Sequence, residues 1–337
     1  MLINEPAIIL NLLSIALMGL LLATLLLASV WPFMTRHIAQ FSAATQKKLL
    51  WLFVAAPWGV SIICVSVFLP SLFHGANSSW LGQLAHWHHP YVFYLESWHA
   101  AILLMFMLGI SYVLASKGLN AARHLHALDS LTHLSMGSSG SRTREKARRW
   151  EIGRDIVVLE SKTPSAFAAG LSNPKCYVTT GLIEQVSETE LDIILDHERA
   201  HIKHRDIRNK LLFALFASLY PRPVARRLNR SFSMATEQLA DALVSNAHCK
   251  LDIAQTLVKA ARIQRIFTGS LTGHGTTLVV NYFIADNVDL RVRALVTTQA
   301  FRTFPWISCL SIMMLTAILS AVGVDALHHL IEAFFSH

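Results

Sequence analysis

The sequence predicts an α-helical membrane protein with four transmembrane helices and one soluble α+β domain on the cytoplasmic side. Three observations carry this. Four runs are apolar for long enough to cross a bilayer. All 29 Lys and Arg residues fall within 36–48 and 117–302. Between Lys117 and Thr303 the pattern changes to short β-branched runs followed by helical periodicity. Of the 337 residues, 53% are hydrophobic and 15% are charged. A soluble chain carries about 25% charged residues, so a wholly soluble protein and a disordered one are both excluded.

The first span is about Ala7–Trp31, with no charge between Glu5 and Arg36. A hydrocarbon core of about 30 Å needs about 20 helical residues, so it crosses with room for tilt. It is too long for a signal peptide and starts at Glu5 rather than at basic residues, which makes it an anchor. The second span is about Leu49–Phe73, with a kink expected at Pro57. The third is about Ser97–Ala115 and the fourth about Phe304–Val324. Trp31, Trp51, Trp98 and Trp306 sit where amphipathic rings mark the interfaces. The spans divide the chain into a three-span region, 1–116, with a His-rich loop at 74–96, a soluble domain at 117–303, the last span at 304–324 and a short tail at 325–337.

Lysine and arginine are retained on the cytoplasmic side of a membrane. Residues 32–48 and 117–303 are therefore expected inside, and both termini, the 74–96 loop and the tail outside. The expected location is a bacterial-type inner membrane. The net charge of +8 suggests nucleic acid at first sight, but no DNA-reading motif accompanies it. No nucleic-acid partner is expected, and the membrane lipids are. The basic segment 117–150 reads as helix, a turn at Gly137–Gly140, then helix, and its basic face either rests on anionic lipid or is solvated. Asp155–Glu160 and Cys176–Thr179 read as strands, and the pattern after Ser187 is helical to about 265.

The chemistry concentrates in that helical stretch. Ser187 and Glu190 form an S-x-x-E capping box that opens a helix. Inside the helix stand His197, Glu198 and His201 as H-E-x-x-H. The spacing of four puts both imidazoles on one face, where they can hold a single Zn²⁺. Glu198 lies about 100° round from His197, close enough to reach an attacking water without ligating. The motif fixes only three positions, so its context has to carry it. His204 is the nearest further donor, but it lies about 10.5 Å along the axis from His197. Donors on one tetrahedral zinc are only about 3.4 Å apart. Glu237 is the better third ligand. Asp241, one turn on, is placed to orient a liganding His. Alone, E-x-x-x-D is usually a solvated face. Asp206 is either an orienting group or a helix cap. The strand near Val178 is expected to offer an edge to an extended substrate.

At these residues the chain resembles a known family. Gly170–Leu182, then Ser187-x-x-Glu190-Leu191, then the HERAHIKHRD run, Glu237-x-x-x-Asp241 and Asp289–Leu295 are similar to the BlaR/MecR-type membrane metallopeptidases, peptidase family M56. The HtpX-type quality-control proteases of family M48 share the VTTGL stretch and the zinc helix. The layout of three spans, a domain and one span favours the first family. Leu211–Tyr220 is apolar for only ten residues, too short for the span that HtpX-like chains place there. The resemblance implies a gluzincin-like zinc metallopeptidase domain with His197, His201 and Glu237 as zinc ligands and Glu198 as general base. It implies that Arg291 matters without assigning it a role. It also implies a protein substrate, with a transcriptional repressor in the M56 reading. The chain ends about a dozen residues past the last span, so β-lactam sensing is not expected.

Two other readings stand beside this one. His86, His88 and His89 in the outer loop either bind Zn²⁺ or Cu²⁺ as a sensor, or pack at the interface. A non-proteolytic receptor that keeps the zinc fold as a scaffold is the rival class, and an HtpX-like quality-control protease is the alternative activity.

Overall fold

The computed structural model describes residues 2–74, 91–135, 156–171, 173–268, 280–282, 288–297 and 302–335. His86, His88 and His89, and the turn and second helix expected within 136–150, lie outside them. The described residues fall into two units.

The first unit comprises Met1–Ala115, Phe216–Leu228 and Arg302–His337. Its elements begin with β1 (Leu2–Ile3), α1 (Glu5–Ile38) and α2 (Ala43–His74). Next come β2 (Val92–Phe93), which pairs antiparallel with β1, and α3 (Trp98–Ser135), of which the first part belongs here. Among the described residues, four helices are long and apolar enough to cross a membrane. Each expected span falls on one of them to within two residues, but the helices run further. The third continues to Ser135, and the expected outer tail is helical to Phe335. Falling hydropathy ends a span, whereas ending a helix takes a breaking residue or a cap. The helix of the second span passes through Pro57 without a break.

Small residues set the close contacts of α1, as expected where lipid removes any hydrophobic drive for association. A Cβ at Gly19 would stand 3.0 Å from Cys64 Sγ of α2. Ser61 Oγ donates to the Ala16 carbonyl at 2.6 Å across the same contact. Ile15, Met18, Val60, Cys64, Phe68 and Val324 fill the apolar core of this unit. The α3 helix is far less enclosed, with 6% of its apolar window buried against 50% for α1. Residues 216–228, which the sequence reading kept within the soluble domain, pack here as well. Tyr220 Oη donates to the Phe53 carbonyl at 2.7 Å, and its ring stacks on Phe53.

The second unit comprises Ser116–Leu215 and Asn229–Phe301. It is built from β3 (Ile156–Leu159), β4 (Ala166–Ala169), β5 (Lys175–Thr179), α4 (Thr180–Ile183) and α5 (Glu188–Lys203). Then come most of α6 (Asp206–Ala217) and α7 (Arg222–Val244), followed by α8 (Lys250–Thr268), β6 (Val280–Tyr282) and α9 (Val288–Val296). The last element, α10 (Trp306–Phe335), is the fourth span and returns to the first unit. The sheet order is β3-β5-β4-β6, parallel between β3 and β5 and antiparallel elsewhere.

Val178 pairs with Val158 on one side and Ala166 on the other. It therefore lies on an inner strand and offers no edge, which corrects the sequence expectation. Cys176, Val178 and Thr179 are buried, as suits a strand flanked by two others. Among the described residues the edges are β3 and β6.

The turn after β5 is pinned by its own side chains. Ser165 N donates to Thr179 Oγ1 at 2.8 Å, and Thr180 Oγ1 bonds both the amide and the carbonyl of Ser161. Gly181 N donates to the Ser161 carbonyl at 2.9 Å. A Cβ on Gly181 would sit 2.3 Å from the Lys162 carbonyl oxygen, and no flexible side chain can yield there. Gly181→Ala should therefore destabilise the full chain by about 1–3 kcal/mol, read as a lower thermal midpoint in detergent.

Candidate metal centre

The helix that carries the site begins with a complete capping box. Glu190 N donates to Ser187 Oγ at 3.3 Å, and Ser187 N donates to Glu190 Oε2 at 2.7 Å. Leu191, Ile194 and Leu195 anchor α5 in the core, so its opposite face meets α6, α7 and α9 from a fixed position. His248 adds a second anchor, with Nε2 3.0 Å from Asp196 Oδ2.

On that face His197 Nε2 and His201 Nε2 are 3.1 Å apart. Glu237 Oε2 of α7 completes a triangle, 3.3 Å from the first nitrogen and 3.5 Å from the second. All three residues are buried. Donors on a tetrahedral zinc, each at about 2.0–2.1 Å, are about 3.4 Å apart, and these three fit that spacing. His204 caps α5 and is not part of the cluster.

Each imidazole is backed by a carboxylate. His201 Nδ1 lies 2.9 Å from Asp206 Oδ2, and His197 Nδ1 lies 3.0 Å from Asp241 Oδ1. Such contacts fix the tautomer that turns Nε2 toward a metal. Asp206 reaches back because Arg205, at φ 52, takes the left-handed conformation between α5 and α6. The sequence left Asp206 open between two roles. It stands in the first turn of α6 and also faces His201.

Two cations hold the acids in place. Arg291 of α9 is fully buried and grips Asp241 with two prongs, Nε to Oδ2 at 2.8 Å and Nη2 to Oδ1 at 2.6 Å. Its Nη1 lies 3.4 Å from Glu237 Oε2. Lys210 Nζ donates to the other Glu237 oxygen at 3.1 Å. The stacked pair Phe213–Phe232, with ring centroids 4.1 Å apart, joins α6 to α7. Sequence reasoning missed Lys210. Its signal was the i, i+4 spacing from Asp206, which puts both on one face of α6.

The electrostatics follow. Burial opposes ionisation of Glu237, yet Lys210 and His201 hold its carboxyl well below the usual range. Burial likewise opposes the Asp241 charge, and Arg291 and His197 outweigh it. Burial would lower His201, but Glu237 and the hydrogen bond to Asp206 lift it to about 9. Glu198 goes the other way: burial raises it, only partly offset by the two histidines. Neither Glu198 oxygen has a well-aligned hydrogen bond among the described residues, although the residue is fully buried. With Glu198, Asp206, Glu237 and Asp241 ionised, the four acids exceed Arg291 and Lys210 by two charges. A divalent cation at the donor triangle balances them, so the residues present fit a zinc ion.

Two outcomes follow. Zinc has to displace the His201 proton, which is present below a pKa of about 9. Apparent zinc affinity should therefore rise by about tenfold per pH unit from pH 6 toward 9, measured by chelator competition. Arg291→Lys keeps the charge but loses the two-pronged grip. It should weaken zinc binding by about 10–100-fold in the same competition assay.

Comparison with known proteins assigns the stretch around this cluster. Residues 143–255 match the model of peptidase family M48. A segment of 65 residues is 43% identical to a Protease HtpX homolog of Thermodesulfovibrio yellowstonii, covering 18% of this chain and 23% of that protein. A segment of 66 residues is 36% identical to the Protease HtpX homolog of Moorella thermoacetica, covering 19% and 22%. A segment of 64 residues is 36% identical to Protease HtpX of Legionella pneumophila, covering 18% and 23%. The match thus spans less than a quarter of the length of these relatives. The order of the two resemblances is corrected: the similarity found runs to M48, and M56 gains no support. The M48-like stretch includes His197, Glu198, His201, Asp206, Lys210, Glu237 and Asp241, while Arg291 lies beyond its end.

Proposed function

We propose that the protein is an HtpX-like membrane metalloendopeptidase with zinc as its metal and proteins as its substrates. One observation carries this reading. Three buried donors, two on α5 and one on α7, converge at zinc spacing beside the buried Glu198 carboxylate of α5. His197, His201 and Glu237 hold the ion, and Asp241 and Asp206 fix the two imidazoles. When bound, zinc supplies the Lewis acidity that activates water and polarises the scissile carbonyl.

Glu198 carries the proton. Its carboxylate takes one from the attacking water and returns it to the leaving nitrogen. Burial raises its pKa, and a raised carboxyl both accepts and releases a proton more readily near neutral pH. Arg291 and Lys210 keep Asp241 and Glu237 charged and in register while this happens.

The proposed location is a bacterial-type inner membrane with the peptidase domain in the cytoplasm. The segments placed inside carry all 29 basic residues, and the segments placed outside hold Glu5, Glu96, Asp325 and Glu332 with no Lys or Arg. Substrates are then cytosolic or membrane-proximal proteins, which suits quality control. Cleavage of a transcriptional repressor rested on the M56 resemblance and loses its support with it.

Glu198→Gln in the full chain should keep one zinc at the cluster and lower cleavage of an unfolded protein such as casein by at least about a hundredfold. Cleavage within a few-fold of the original would remove Glu198 from the proton-carrying role, and an original chain that holds zinc yet cleaves no protein would overturn the enzyme reading in favour of a scaffold that only binds.

A further inference from the structure

We infer that His99 and His328 form a second transition-metal site, which joins the start of α3 to α10. Both belong to the first unit, away in sequence from H-E-x-x-H and outside the M48-like stretch. His99 Nε2 and His328 Nδ1 face each other at 3.4 Å. That is beyond the roughly 2.7–3.2 Å typical of N–H···O hydrogen bonds, so the two rings meet through a long contact. It equals the spacing of about 3.4 Å between two donors on a tetrahedral zinc. It also falls within the 3.1–3.5 Å spread of the cluster formed by His197, His201 and Glu237.

The surroundings suit a cation with imidazole ligands. His328 is 2% exposed, so its ring is held in one place. Trp98 and Phe93 flank His99 at ring distances of 3.7 and 6.3 Å and limit its motion. The His329 ring lies 5.7 Å from that of His328, and its Nε2 stands 3.8 Å from Asp325 Oδ1 on the same helix. Imidazole donors take zinc, copper or nickel rather than magnesium or calcium. Two protein donors leave other positions to water, which half-buried His99 admits.

The placement gives the ion a task. The α3 helix has the least burial of the four spans, so a metal bridge at its first turn adds a tie that packing does not supply. Binding there would hold the outer part of α3 against α10, and removal would release it.

The test is zinc stoichiometry after equilibrium dialysis of the full chain in detergent, read by elemental analysis. Two ions per chain are expected. His328→Gln and His99→Gln, each keeping a polar side chain of similar size, should each remove one ion. The pair His197→Ala and His201→Ala should remove the other and leave this one. Each variant's fold is checked by its remaining ion. Two ions that persist in both Gln variants would overturn the inference, as would a wild-type chain whose single ion disappears with His197 and His201. A single ion lost only with His99 or His328 would support this site while removing the metallopeptidase reading.

Discussion

Seven ionisable side chains share one buried volume: His197, Glu198, His201, Asp206, Glu237, Asp241 and Arg291, each at most 2% exposed. Unpaired, any one of these charges would cost several kcal/mol to bury. The arrangement around them answers that cost. Arg291 grips Asp241, Asp241 faces His197, Lys210 holds Glu237, and Asp206 faces His201. Each acid except Glu198 is tied to a cation or an imidazole, and that exception is the group proposed to carry the proton.

The fold can be read as the frame for this network. The capping box fixes where α5 starts, and its apolar face fixes how it lies on the sheet. The left-handed turn at Arg205 folds Asp206 back, and the Phe213–Phe232 stack brings α6 against α7. Glu237 and Asp241 then meet the two histidines from a separate helix. With both imidazoles neutral and Glu198 ionised, the acids exceed Arg291 and Lys210 by two charges, which a divalent ion matches. The same electrostatic demand accounts for how closely the site is tied and for its fit to a dication.

Much of this was legible in the sequence where the signal is local. H-E-x-x-H and Glu237-x-x-x-Asp241 are readable because a spacing of four puts side chains on one helical face. The four spans are readable from apolar length and the capping box from an i, i+3 pair, both local signals. What required the structure is non-local. Arg291 lies 50 residues beyond Asp241, and nothing in the sequence says they meet. Lys210 reaches Glu237 across two helices. The strand at Ala166–Ala169 was missed because alanine favours helices, and only pairing with β5 and β6 makes it a strand. The edge expected at Val178 failed likewise, since register decides which strand is central. The rank of the two family resemblances rested on layout, whereas the similarity lies in the local zinc-helix stretch.

The most direct measurement of the central claim is zinc X-ray absorption on the metal-loaded full chain, with His99 and His328 replaced by Gln so that one ion is observed. The account predicts a four-coordinate shell of nitrogen and oxygen only, at about 2.0–2.1 Å. It predicts outer-shell scattering from two imidazoles, falling to one in His201→Ala. A sulfur shell at about 2.3 Å, or imidazole scattering that does not change in that variant, would contradict it.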